Sequence, residues 1–393
     1  MGILPQSNGK DELILVFHIG SSSVGGAFFL SQSSGAPKII FSVREQVAIE
    51  QDINIDRFLF LTMQALETVV NKVYNSGAGA PSRIFCVLSS PWYVSQTRMI
   101  NMERNTPFIF TEKLADGLIQ KEINIFEKEH LAQYLSVGQA VRTIELKNIR
   151  TMLNGYETAK PINQKAQGLE MAIFISIAAE SVLKNIEETI GQHFHFKQIQ
   201  FSSFVLASFA VVRDMYVKQG NFLLVDIGGE VTDISMIKKN ILHESISFPL
   251  GRNFLIRGVA SSLGCGLTEA SSFISLFKDG HADENTSKKL APIIDQLKAE
   301  WLKKFQESMA NLSHDISIPA TIYIAIDKDL ADFFAETIKT EQFNQYTLTE
   351  SKFEVIFLST ELLHGIASFE EAVIREPFLI IDSVYINRFF SKI

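Results

Sequence analysis

The chain has 393 residues, of which 46% are hydrophobic and 20% charged. That is a folded composition with length enough for two domains, each burying its own core, and it excludes a large disordered part. A net charge of −8 without a basic block excludes nucleic acid as the default partner, and the two widely separated cysteines, Cys86 and Cys265, exclude a disulfide framework or a zinc site and fit a reducing compartment.

The opening MGILPQSNGKDE lacks the basic and apolar regions of a signal peptide, and Gln6 stands where myristoylation needs Ser or Thr. No apolar run is long enough to span a bilayer, so the chain is expected to be soluble, with any membrane contact peripheral. Leu13 to Leu30 reads as an apolar strand, a Gly/Ser turn and a second apolar strand; Phe41 to Ile49 reads as a third. Asp56 is the expected cap of an amphipathic helix whose apolar stripe includes Leu61, Leu66, Val69 and Val73. Asn75 to Ser82 ends that helix, and Arg83 to Ser90 returns as a strand.

The pattern changes between about Pro91 and Gln167, as expected of an inserted subdomain. Thr111 starts a helix there, and the stretch up to Leu153-Asn-Gly-Tyr-Glu157 supplies strand and turn. Leu169 to Ala178 is expected to re-enter the core sheet. A helix through Val182, Leu183, Ile186 and Ile190 follows, then HFHF, whose alternation at His193 and His195 reads as a half-exposed strand. A strand at Lys197 to Phe201 precedes a helix with its stop at Gly220. The eight histidines show no metal spacing, and no protease-like constellation is visible. The 31 Phe read as core packing first and as an exposed partner groove second.

Asn221 to Ile237 repeats the opening theme: apolar strand, Gly-rich turn, apolar strand. A further strand, a helix beginning near Asn253 and a polar loop about Gly280 to Thr286 follow. Leu290 to Met309 carries apolar residues at 3.6-residue spacing and reads as a helix of a small subdomain. Thr321 to Ile326 and Phe353 to Ser359 are strands around a helix at Asp329 to Ile338, and FLIIDSVYINRFF is the closing helix.

Two Gly-bearing turns about 200 residues apart suit a phosphate held from both sides. Gly20, Gly228 and Gly229 allow close backbone approach. Ser21, Ser22, Ser23 and Thr232 supply hydroxyls, and Asp226 and Asp233 can hold a hydrated metal through oxygen. With these motifs and the segment Ser247 to Phe273 in view, the chain resembles the actin/hexokinase/heat-shock-chaperone ATPase superfamily, and within it the bacterial FtsA and PilM proteins. HIGSSSV is similar to the first phosphate motif and LLVDIGGEVTDIS to the second. SFPLGRN is similar to the Pro-x-Gly segment before a helix that faces the phosphates. LNGYE resembles a turn in the extra subdomain of FtsA and PilM.

The resemblance implies an α/β actin-like, ribonuclease-H-like duplicated fold with an inserted α+β subdomain. The first lobe would comprise residues 1–90 and 168–217 and the insertion 91–167. The second lobe would be 218–393, with a small helical subdomain at about 264–316. It implies ATP and Mg²⁺ at Gly20 to Ser23, Asp226, Gly228 to Glu230, Thr232 and Gly251, Arg252 and Asn253, with Asp226 and Asp233 at the metal. Several departures point to weak or absent nucleotide binding and turnover. His18 stands where the family has Asp, Glu230 adds charge beside the phosphates, and Arg252 replaces a Gly, where it would either fill the site or pair with a phosphate. Ile326 and Asp327 occupy the Gly-Gly that makes room for adenine.

The function implied is an FtsA-like cytoplasmic scaffold for cell division at the inner membrane, with a tubulin-like division protein as partner and self-association possible. The alternative is a PilM-like adaptor of type IV pilus assembly, binding the cytoplasmic tail of a membrane protein in a groove beside the extra subdomain. The segment SVYINRFFSKI is read either as a buried final helix or as a peripheral membrane contact through Phe389, Phe390 and Ile393 with Arg388 and Lys392.

Overall fold

The structure, a computed structural model, describes residues 12–32, 35–134, 140–312, 318–340 and 353–390. The readings made for the opening segment and for Lys392 and Ile393 lie outside them. The run ELILVFHI is apolar almost throughout because it forms β1 (Glu12–Ile19) in the interior of a sheet. The chain turns into the antiparallel β2 (Ser23–Ser31) and then β3 (Lys38–Gln46). Helix α1 (Ile55–Tyr74) is capped by Asn54, whose side chain accepts from the Arg57 N–H at 2.9 Å; Asp56, the expected cap, sits in the first turn. Strand β4 (Arg83–Leu88) runs parallel to β1.

The insertion forms a sheet of its own. Strand β5 (Val94–Ile109), helix α2 (Glu112–Tyr134), β6 (Val141–Leu153), β7 (Tyr156–Glu157) and β8 (Lys165–Ala179) give the order β5-β8-β6-β7. Thr111 caps α2, its hydroxyl accepting from the Leu114 N–H. The LNGYE segment is the β6–β7 hairpin, with Asn154 at φ 52° and Gly155 at φ 82°, the pair of positive values a tight two-residue hairpin requires. The stretch Leu169 to Ala178, expected in the core sheet, lies instead within β8 of this inserted sheet. The reason is double-sided burial. Met171, Ile173, Ile175 and Ile177 pack into the core that α2 helps form, while Phe174 and Ala178 join the first lobe's core, so the strand carries no alternation.

Helix α3 (Glu180–Gly191), β9 (Ile199–Ser203) and α4 (Phe204–Met215) complete the first sheet and its covering. HFHF is not a strand. The Phe194 N–H donates to the Ile190 carbonyl as α3 unwinds, burying Phe194 and leaving His195 exposed. Helix α4 ends at Met215, before the expected stop at Gly220.

The second sheet repeats the first. Strands β10 (Phe222–Ile227), β11 (Thr232–Lys238) and β12 (Ile241–Phe248) form the antiparallel meander. Helices α5 (Arg252–Leu263), α6 (Leu267–Lys278) and α7 (Glu284–Leu312) precede β13 (Thr321–Ile326). Helix α8 (Ala331–Thr340) separates β13 from β14 (Glu354–Phe357), and both strands run parallel to β10. The order β12-β11-β10-β13-β14 matches β3-β2-β1-β4-β9 strand for strand. Helices α5, α6 and α7 bury Ile256, Ile274, Leu290 and Trp301 in one core with this sheet.

The end of the chain departs from the expected second lobe. β15 (Ser368–Phe369) pairs with β3, and α9 (Pro377–Phe390) lies against β1, β2, β3 and α4. Residues from Phe378 to Ile386 are buried, among them Leu379, Ile380, Ile381 and Tyr385 in the first core, because a helix this apolar needs cover on most of its circumference. Phe389 is half-buried and its ring lies 5.1 Å from that of Tyr385, so the buried-helix reading holds.

Candidate functional site: the cleft between the lobes

Each meander turns at its first hairpin toward the other lobe, and the two turns touch. Gly20 closes the first, its N–H donating to the Ser23 carbonyl at 3.0 Å; the Gly228 N–H closes the second on the Val231 carbonyl at 2.9 Å. The Ser21 hydroxyl oxygen accepts from the N–H groups of Gly229 at 2.8 Å and Glu230 at 3.2 Å. A Cβ on Gly229 would lie 2.5 Å from the Ser21 carbonyl oxygen, and one on Gly251 would lie 2.5 Å from the carbonyl oxygens of both Gly228 and Gly229. Three backbone segments are therefore stacked in contact, which only glycine permits at positions 229 and 251.

Helix α5 begins at this stack, and its first donors are occupied. The Arg252 N–H donates to Gly228 and the Asn253 N–H to Gly229, both at 2.9 Å. Glu230, buried at 8% exposure, is gripped by Arg257 through two bonds of 2.7 Å and by the Asn253 amide at 2.8 Å. Arg257 also donates to the Glu50 carbonyl in the first lobe.

A second cluster lies alongside. Arg44 on β3 donates to Asp327, to Glu376 at 3.1 Å and to the Ser23 hydroxyl at 2.6 Å. Arg252 donates to Asp327 and Asp329, each at 2.7 Å. Burial would push the Asp327 carboxyl up, but the two guanidinium charges outweigh it and hold the group below the usual carboxylate range. Burial dominates at Glu376, which is raised. A cavity of about 760 Å³ opens beside this cluster, with Ser22, Arg44, Arg252 and Asp327 in its wall.

Sequence reasoning placed Thr232 among the phosphate donors, but its hydroxyl donates to the Leu250 carbonyl at 2.7 Å beneath the Trp301 indole. Asp226 and Asp233 are cross-strand partners. Asp226 keeps a sliver of accessible surface yet sits deep between the lobes, and burial, then the Asp233 charge, push its carboxyl well up. Asp233 is raised too, chiefly by burial, with Ser247 donating to it. No group of three His, Cys, Asp or Glu able to hold a metal occurs among the described residues.

His18 is buried, with Nδ1 2.9 Å from Asp382 of α9 and Nε2 3.4 Å from the Ser89 hydroxyl. The order Ser–His–Asp is that of a hydrolytic triad. With exposures of 5%, 4% and 0%, the three are sealed from any substrate, and their role is to tie α9 to β1. Sequence reasoning singled out His18, Glu230, Arg252 and Asp327 as departures, but missed Arg44, Arg257, Glu376 and Asp382. Their partners stand 21 to 364 residues away, and no local signal marks them.

The residues present do not fit a nucleotide's phosphates. The N–H groups of Gly229 and Glu230 are bonded to Ser21, those of Gly20, Gly228, Arg252 and Asn253 to backbone carbonyls, and the guanidinium groups nearby are paired with carboxylates.

No family model and no curated protein sequence matches the chain. Among solved structures, the PilM–PilN type IV pilus biogenesis complex is similar over 95% of this chain and 96% of that one, with a TM-score of 0.58 at 11% identity. A protein of unknown function with an actin-like ATPase fold from Bacteroides thetaiotaomicron matches over 91% and 94%, with a TM-score of 0.41 at 8% identity. The ethanolamine utilization protein EutJ from Carboxydothermus hydrogenoformans matches over 98% and 92%, with a TM-score of 0.43 at 11% identity. The repeated sheets, the facing turns and the PilM match together identify the fold of this chain as that of the actin-like ATPases.

Proposed function

We propose that the chain is a PilM-like adaptor that binds the cytoplasmic tail of a membrane protein, at the cytoplasmic face of the inner membrane. The observation that carries the reading is the end-to-end similarity to PilM as found in the PilM–PilN complex, inserted sheet included. The insertion also exposes apolar side chains that a peptide can cover: Met99, Ile109, Leu146 and Tyr156. No helix among the described residues is long and apolar enough to cross a membrane, so membrane attachment would come through the partner.

The other reading is the FtsA-like scaffold for cell division; the part of its membrane contact read onto α9 is not supported, since α9 packs against the first core as far as Phe389. Affinity purification of the tagged chain from native membranes tests the choice. The adaptor reading expects a membrane protein with a short cytoplasmic tail, whose synthetic tail peptide binds the purified chain and binds more weakly to Tyr156→Ser. Recovery of a tubulin-like protein, with no tail binding, would overturn it.

A further inference from the structure

We infer that the two turns of the cleft are clasped together by the chain's own side chains in place of a nucleotide's phosphates, with the Ser21 hydroxyl standing where a phosphate oxygen would and Arg44, Asp327 and Arg252 forming an ion-paired bolt along the wall of the cavity. The inference concerns the state of the fold and stands whether or not the adaptor reading does.

Three layers of contact carry it. In the first, Ser21 takes the Gly229 and Glu230 N–H groups, joining the hairpin of one lobe to that of the other. In the second, the Glu230 carboxylate takes the place of an anionic ligand at the start of α5, accepting from Asn253 and Arg257, while Arg257 reaches the Glu50 carbonyl across the cleft. In the third, Arg44 from β3 and Arg252 from α5 converge on Asp327, with Glu376 on Arg44 and Asp329 on Arg252.

Charge pairing supports the clasp. Three guanidinium groups, Arg44, Arg252 and Arg257, and Lys328 in the cavity wall face four carboxylates, Glu230, Asp327, Asp329 and Glu376, so the charges balance and each guanidinium already holds a carboxylate. A polyphosphate entering here would have to displace a carboxylate already bonded to a guanidinium, the most buried being Asp327. The strength of such a charge-assisted pair is what would have to be overcome. Within the second lobe, the Gly228 and Gly229 carbonyls accept from the first N–H groups of α5 and fix the second turn against that helix.

The test has two arms on the full chain. In calorimetric titration with MgATP and with MgADP, the expected result is no saturable heat and an unchanged Tm at millimolar nucleotide. Saturable binding of either overturns the inference. In the second arm, Arg44→Gln and Asp327→Asn are compared singly and together by thermal unfolding and small-angle scattering. Each single change is expected to lower Tm and enlarge the radius of gyration, and the double to cost less than the sum. Additive losses with an unchanged radius overturn the bolt. Should a charge variant fail to fold, Ser21→Gly serves in its place. A lower Tm with a larger radius supports the clasp, and wild-type values overturn it.

Discussion

Asp226 and Asp233 meet across β10 and β11 as a pair of carboxyls in a site that offers few donors: Ser89 for the first, and Ser247 and Ser90 for the second. The Asp226 carboxyl is raised by burial and by Asp233, with Asp327 and Asp382 adding to the effect. The folded state therefore holds a proton there at pH values where the unfolded chain, near the ordinary 3.8, has released it. Stability from this group is greatest in acid and falls as pH rises from the unfolded value through the folded one. Asp226→Asn is expected to raise Tm at neutral pH and to flatten that fall, as thermal scans across the acid range would register. A lower Tm would mean that the ionised carboxylate is needed. The His18 departure was legible as a mismatch in one motif. Its partner Asp382, 364 residues on, was not, because only the return of α9 brings the two together.

At the level of elements, α9 is the piece that binds the first sheet to the insertion. Tyr385 donates to the buried Glu145 carboxylate at 2.6 Å, and Ser203 donates to it through its N–H at 3.1 Å and its hydroxyl at 2.7 Å. Tyr385→Phe keeps the ring and removes one donor from a buried carboxylate. The expected cost is about 1–3 kcal/mol, measured by urea unfolding. An unchanged free energy would show that α9 is not anchored there.

Hairpins β1–β2 and β10–β11 were legible because turn chemistry and apolar runs are local signals. The α7 stripe was legible because its period is helical. β8 was misplaced, since a strand buried on both faces reads the same in whichever sheet it lies. β5 went unseen because its polar side chains, from Gln96 to Thr106, interrupt the apolar alternation. β15 and α9 were assigned to the wrong lobe because nothing in a short strand and an apolar helix names the sheet they join.

Over the whole molecule, a duplicated α/β unit brings two glycine turns together, and that much followed from the repeat in the sequence. What the repeat could not convey is the separation between the turns. A gap wide enough for phosphates and a contact sealed by Ser21 are compatible with the same motif, and the difference is settled by Arg44, Arg257 and Glu376, which lie outside it. The departures Glu230, Arg252 and Asp327 were each legible as obstacles to a nucleotide. Their arrangement into one interlobe network depended on tertiary pairing. The most direct test of the account is backbone amide hydrogen exchange at Gly229 and Glu230 in the protein free of nucleotide. Bonding to Ser21 predicts strong protection there that MgATP leaves unchanged. Fast exchange that slows only when MgATP is added would contradict it.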